Sequence, residues 1–106
     1  MLLEIKSQKE NGKGKLSLAG VLDISTVDSF KISLEYFADV QELAIDFAKI
    51  KFIDSTGVGG IIHAFKYFSE TNRKIKVTAI SSDVFEIFDI LGLPEIFGRE
   101  LFEIVT

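Results

Sequence analysis

Asp54-Ser55-Thr56-Gly57-Val58-Gly59-Gly60 is the stretch of this chain whose residue types and spacing could carry chemistry. An apolar pair, Phe52-Ile53, leads into an acid and two hydroxyls. Three glycines follow within four positions, and then Ile61-Ile62. The order reads as a strand end, a short loop and the first turns of a helix. At a helix N-terminus the first backbone N–H groups have no intrahelical partner, and the dipole favours negative charge. A hydroxyl placed there is exposed, and a phosphate added to it meets free donors. Glycine inside a helix costs about 1 kcal/mol relative to alanine. Three of them need a reason, and the absent Cβ supplies one, because another backbone or molecule can then approach closely. The plainer role of the same residues is capping. Ser, Thr and Asp are preferred N-caps, and most such triplets do nothing more.

Rival sites are thin. His63 is the only histidine. It stands four residues before Tyr67 with no ligand spacing around it, so a surface or structural role is expected and no metal site. Gly57-Val58-Gly59-Gly60 is not a dinucleotide fingerprint, since Ile62 holds the third glycine position, and no Walker lysine follows. Ser55 as a catalytic nucleophile lacks a base, so no enzyme activity is expected. Arg73, Lys74 and Lys76 read as a solvated basic loop. Asp83, Glu86 and Asp89 read as the solvent side of a helix. The chain has no cysteine, which excludes disulfides and thiolate chemistry. No cofactor is implied.

Bulk properties narrow the partners. The formal net charge is -4, which disfavours nucleic acid and anionic lipid as partners. Apolar residues make up 47% of the chain, ten of them Phe, so a packed core is expected rather than disorder. The length of 106 residues fits one domain spanning 1–106. No run of about 18 uncharged apolar residues occurs, and Met1 to Lys6 lacks a signal-type apolar run. No membrane insertion and a cytoplasmic location are expected.

The elements that must position the motif follow from periodicity. Leu2 to Lys6 and Lys15 to Ala19 alternate, and Asn11-Gly12 between them signals a turn, so an N-terminal antiparallel hairpin is expected. Ser25-Thr26-Val27-Asp28 has capping-box character and opens a helix striped by Val27, Phe30, Leu34 and Phe37. Glu42 to Phe47 is the next strand, and Phe52-Ile53 turns back toward the sheet. A second helix runs from Ser55 or Thr56 to about Glu70, striped by Val58, Ile61, Ile62, Phe65 and Phe68. Ile75 to Ala79 is a strand. Ser82 or Asp83 caps a third helix with Val84, Ile87, Phe88 and Leu91 inside. Gly92 ends it, and Pro94 blocks continuation. Glu100 to Val105 is the last strand. The order β-β-α-β-α-β-α-β predicts an α/β domain. Its mixed sheet has about five strands, with parallel βα units after the hairpin and helices packed on them.

Asp54-Ser55-Thr56-Gly57-Val58-Gly59 resembles the D-S-[ST]-G-[LVI]-G signature of anti-sigma-factor antagonists and other STAS domains. Gly20-Val21-Leu22-Asp23 is similar to the family's G-x-[LI]-D at the end of the second strand. Leu43-Ala44-Ile45-Asp46-Phe47 resembles the strand before the signature, and Phe88-Asp89-Ile90-Leu91-Gly92-Leu93 the third-helix ending. The resemblance covers about residues 2 to 105. It implies an anti-sigma-factor antagonist switched by phosphorylation of Ser55, with Thr56 as the second candidate acceptor. It implies a partner-binding surface of Asp23, Asp54, Ser55, Thr56, Gly57, Val58 and Gly59. The implied partners are an anti-sigma factor that is a GHKL-type serine kinase, and a PP2C-type phosphatase. An alternative is a STAS subunit that is never phosphorylated and serves as an interaction module of a transporter or signalling complex. Two departures stand out. The sequence stops at Thr106, where many members continue into a further helix, and Pro94 to Arg99 is insertion-like.

Overall fold

A computed structural model describes residues 2–105. Thr106, and with it the expectation attached to the chain end, lies outside them. The elements in order are β1 (Leu3–Glu10), β2 (Lys13–Leu22), α1 (Val27–Ser33), β3 (Glu42–Ile53), α2 (Ser55–Glu70), β4 (Lys74–Ser81), α3 (Ser82–Ile90), α4 (Leu93–Phe97) and β5 (Phe102–Val105). Short 3-10 turns follow α1 (Leu34–Phe37) and α4 (Arg99–Leu101).

The five strands lie side by side in chain order. β1 and β2 are antiparallel, and β2, β3, β4 and β5 run parallel. Asn11 and Gly12 both take positive φ, 52° and 77°, which is the two-residue turn that Asn-Gly favours in a hairpin. Right-handed crossovers between successive neighbours all pass over the same face of a sheet. The alternation obeys this. Leu16, Leu18, Leu43, Ile45, Phe47, Ile75 and Val77 are buried on the helix side, while Lys13, Lys15, Lys74 and Lys76 between them are exposed. The open side is a ladder of cross-strand ion pairs, Lys13–Glu42 at 3.7 Å, Lys15–Asp46 at 3.8 Å and Lys74–Glu42 at 3.9 Å. These are solvated and add little, about 0–1 kcal/mol each. The core is aromatic, with Phe30, Phe37, Phe65, Phe68 and Phe88 fully enclosed. Burying one such ring is worth about 1.5–3 kcal/mol, so these side chains, not the surface charges, hold the helices down.

Several local expectations are corrected. The capping box at Ser25-Thr26 does not form, since no side chain caps α1. The Thr26 hydroxyl donates instead to the Val21 carbonyl at 2.8 Å and accepts from the Asp23 N–H at 3.0 Å, which closes the turn before the helix. The Glu42 to Phe47 strand continues to Ile53. β3 gains one residue on β2 between Asp46 and Lys49 and another between Ile50 and Phe52. Each bulge reverses the alternation, which is why the periodic signal ended at Phe47. Helix α3 is capped by Ser81, one residue earlier than expected, with its hydroxyl accepting from Val84 N–H at 3.2 Å. Of the expected stripe Phe88 is buried and Val84 and Ile87 pack against the core, but Leu91 is exposed, and Phe85 is buried in addition. Pro94 does not end helical structure. It occupies the first turn of α4, where its missing N–H costs nothing. The last strand begins only at Phe102.

Arg73 is not part of a solvated loop. Its guanidinium donates to the carbonyls of Phe37, Ala38 and Val40 at 2.8, 3.2 and 2.9 Å, and it lies 4.0 Å from the Phe68 ring centroid. All three bonds come from one nitrogen, Nη1, while Nε donates to the Thr71 hydroxyl at 2.9 Å, so the side chain ties the turn after α1 to the start of β4.

Candidate functional site

Asp54 is the N-cap of α2, with extended backbone. Its Oδ1 accepts from Gly57 N–H at 2.8 Å, as a capping carboxylate does. Its other oxygen, Oδ2, accepts from Ile24 N–H at 3.3 Å, and its own N–H donates to the Leu22 carbonyl at 3.3 Å. The carboxyl ends of β2 and β3 are thereby tied together. Asp23 lies between the two residues that Asp54 binds, so the Asp23 turn and the start of α2 form one surface.

Asp23 is held by its own turn. Its Oδ1 accepts from the Ser25 hydroxyl at 2.6 Å and Ser25 N–H at 2.9 Å, with Thr26 Oγ1 at 3.4 Å. The Ser25 hydroxyl in particular holds the Asp23 carboxyl below its usual range, against a smaller desolvation effect that raises it. Asp23 is therefore a fixed negative charge at the rim.

Ser55 is the first residue of α2 and is exposed, and Thr56 is half-buried. Of the two hydroxyl residues, Ser55 is the one open to a partner protein. Gly57 and Val58, both expected at the partner surface, are buried. A Cβ on Gly57 would sit 2.2 Å from the Leu22 carbonyl oxygen and 2.8 Å from Ile53 Cγ1. Val58 is 2% exposed and belongs to the core. Neither can present a side chain to a partner, and the expectation for both is corrected to internal packing. Gly59 differs, because nothing lies within 4 Å of its Cβ position. Gly60 packs on α1, with Val27 Cγ2 at 2.7 Å from where its Cβ would be.

Two surface residues were not singled out from the sequence. Ile24 is 75% exposed and Phe52 55% exposed, on either side of the Asp54 cap. The signal for Ile24 was an isoleucine standing between Asp23 and Ser25, in a turn otherwise made of polar residues. For Phe52 it was an apolar pair at a strand end, of which only Ile53 can point inward. His63 is exposed on α2. Among the described residues no cluster of His, Asp and Glu could hold a metal ion, and no helix is long and apolar enough to cross a membrane. A cleft of about 900 Å³ lies at the opposite end of the sheet among Lys13, Phe65, Arg73, Phe97 and Leu101. It has no connection with the hydroxyl site.

The comparisons agree with this geometry. Residues 4–105 match the family profile described as STAS domain. A relative from Listeria monocytogenes named anti-sigma-B factor antagonist is 31% identical over 97 residues, covering 89% of this chain and 83% of that protein. The unphosphorylated anti-sigma factor antagonist SpoIIAA superposes with a TM-score of 0.79 at 19% identity, over 97% of this chain and 89% of that one. A sulfate transporter family protein from Wolinella succinogenes superposes with a TM-score of 0.78 at 14% identity, over 89% of this chain and 78% of that one. The two structural likenesses share the fold alone.

Proposed function

The chain belongs to the STAS domain family, and we propose that within it this protein is an anti-sigma-factor antagonist switched by phosphorylation of Ser55. One observation carries the reading. The exposed Ser55 hydroxyl sits at the start of α2, on a surface where Asp54 ties in the Asp23 turn and two apolar side chains, Ile24 and Phe52, stand in solvent.

In this reading the dephosphorylated form docks on an anti-sigma factor and displaces the sigma factor. Ile24 and Phe52 supply buried apolar area, and the open backbone at Gly59 lets the partner come close. The anti-sigma factor is a GHKL-type serine kinase that transfers phosphate to Ser55, and a PP2C-type phosphatase removes it. Phosphate adds about 1.5 to 2 negative charges at neutral pH. The charge lands beside Asp54 and near Asp23. Within this chain the N–H groups at the start of α2 that the Asp54 cap leaves open donate to it. In a fitted interface it must be desolvated beside like charges, and the complex comes apart. The protein acts by binding, in the cytoplasm, without turnover of its own.

Likeness in fold to a sulfate transporter family protein is compatible with the interaction-module alternative, but the relative at 31% identity favours the antagonist. The test is to incubate the protein with its anti-sigma kinase and ATP and map the product by mass spectrometry. Phosphate on Ser55 is expected. Phosphate on Thr56, or on neither, contradicts the reading.

A further inference from the structure

β1 is an edge strand. It pairs with β2 in unbroken register from Leu3 to Glu10, and among the described residues no strand lies on its other side. It contains neither proline nor bulge, the usual devices that keep an edge from pairing. Its protection is charge alone, from Glu4, Lys6, Lys9 and Glu10. Charge blocks pairing only in registers where like signs meet.

Two copies can extend the sheet across this edge about a twofold axis normal to it. Residues on the same face then stand opposite one another. With the axis at Lys6, Lys6 faces Lys6. With the axis at Ser7, Glu4 faces Glu10. With the axis at Gln8, Lys6 faces Glu10, but on the helix side Lys9 faces Ser7 and no apolar contact is made. With the axis at Ile5, Glu4 faces Lys6 twice, Ile5 meets Ile5, and Leu3 lies over Ser7. Only this last register satisfies the charges on the open face and covers the half-buried Leu3 and Ile5 on the other.

The helix layer leaves apolar surface beside the same edge. Lys9 Nζ is 3.2 Å from Asp39 and 4.2 Å from the Tyr36 ring centroid, which fixes the end of the α1 segment beside β1. Ile32 and Tyr36 on that segment are 65% and 49% exposed. We propose that the outer edge of β1 is a homodimer interface. Two copies pair β1 antiparallel about a twofold axis at Ile5, with Glu4 of each opposite Lys6 of the other. The interface is self-complementary and closes at two copies. It leaves Ser55 free, because Ser55 follows β3, two strands away from the edge.

Sedimentation equilibrium on the full chain tests this. The wild type is expected to follow a monomer–dimer equilibrium. Glu4→Lys places four lysines together and should raise the dissociation constant about tenfold or more. The double variant Glu4→Lys/Lys6→Glu restores opposite charges in the same register and should recover most of the affinity, which also shows that the single variant fails by charge and not by misfolding. The register is read separately by cross-linking. The chain has no cysteine, and facing residues in an antiparallel pair have Cα atoms about 4.5–5.5 Å apart, within disulfide reach. Oxidised Ile5→Cys should run as a covalent dimer and Gln8→Cys as a monomer. A wild type that stays monomeric at every concentration overturns the proposal. So does a dimer indifferent to Glu4→Lys, or one that cross-links through Gln8→Cys and not Ile5→Cys.

Discussion

A Cβ at Gly57 would stand 2.2 Å from the carbonyl oxygen of Leu22. The third residue of α2 therefore touches the backbone of β2, and no side chain fits between them. This contact, with the Asp54 N–H to Leu22 carbonyl bond, sets how deeply the start of α2 sits against the sheet. Ser55, two residues earlier, is left at the surface.

The two glycines of the motif should respond in opposite ways. Gly57→Ala forces backbone apart and is expected to lower stability by about 2 kcal/mol or more. Gly59→Ala meets no atom within 4 Å. It should keep or raise stability, by up to about 1 kcal/mol from helix propensity. Its added methyl should still weaken binding of the anti-sigma factor. Thermal melts and a binding titration read both quantities. Equal destabilisation by the two substitutions would contradict the assignment.

Ser55→Ala removes only an exposed hydroxyl and should bind the anti-sigma factor as the wild type does. Ser55→Asp adds one charge, less than a phosphate carries, and should weaken binding in part. Indistinguishable affinities of the two variants would remove charge as the basis of the switch.

The Asp23 turn makes a pH prediction. Its carboxyl is held below the ordinary aspartate value of 3.8, first by the Ser25 hydroxyl. A depressed carboxylate contributes stability that is present above its unfolded pKa and lost as pH falls through the folded one. The turn should therefore stay intact down to pH 3.8 and loosen only below it. Ser25→Ala should raise the Asp23 pKa toward 3.8. An NMR titration of the carboxyl carbon follows this directly, and an unchanged pKa would contradict the role given to Ser25.

Arg73 holds the carbonyls of Phe37, Ala38 and Val40 through one nitrogen, Nη1, while its Nε donates to the Thr71 hydroxyl and its plane lies on the Phe68 ring. Arg73→Ala removes all of these contacts and should cost about 1–3 kcal/mol in a denaturant titration. Binding at the Ser55 end should be unaffected, since Arg73 borders the cleft at the other end of the sheet. A loss below about 0.5 kcal/mol would show that water replaces the guanidinium there.

The sequence determined the order of the strands and of the three longer helices, the antiparallel hairpin and the parallel units after it, but not α4. Those rest on periodicity and turn chemistry, which are local. Asn11-Gly12 needs no partner to make its turn, and the stripe Val58, Ile61, Phe65 and Phe68 is legible from spacing alone. The motif's resemblance likewise pointed to Ser55 as the candidate acceptor without geometry. What a glycine or an arginine does across the molecule was not legible, because its partners are distant in sequence. Gly57 and Gly59 look alike in the chain, and only the Leu22 carbonyl, 35 positions before Gly57, separates them. Arg73 looked solvated until the carbonyls of Phe37, Ala38 and Val40 came within hydrogen-bond reach. The bulges of β3 hid the strand's second half, since each reversed the alternation that a periodic reading depends on. Local signals are written residue by residue, whereas packing is decided by which surfaces the fold brings together. Tertiary structure alone could therefore say which parts of the motif face inward and which face solvent.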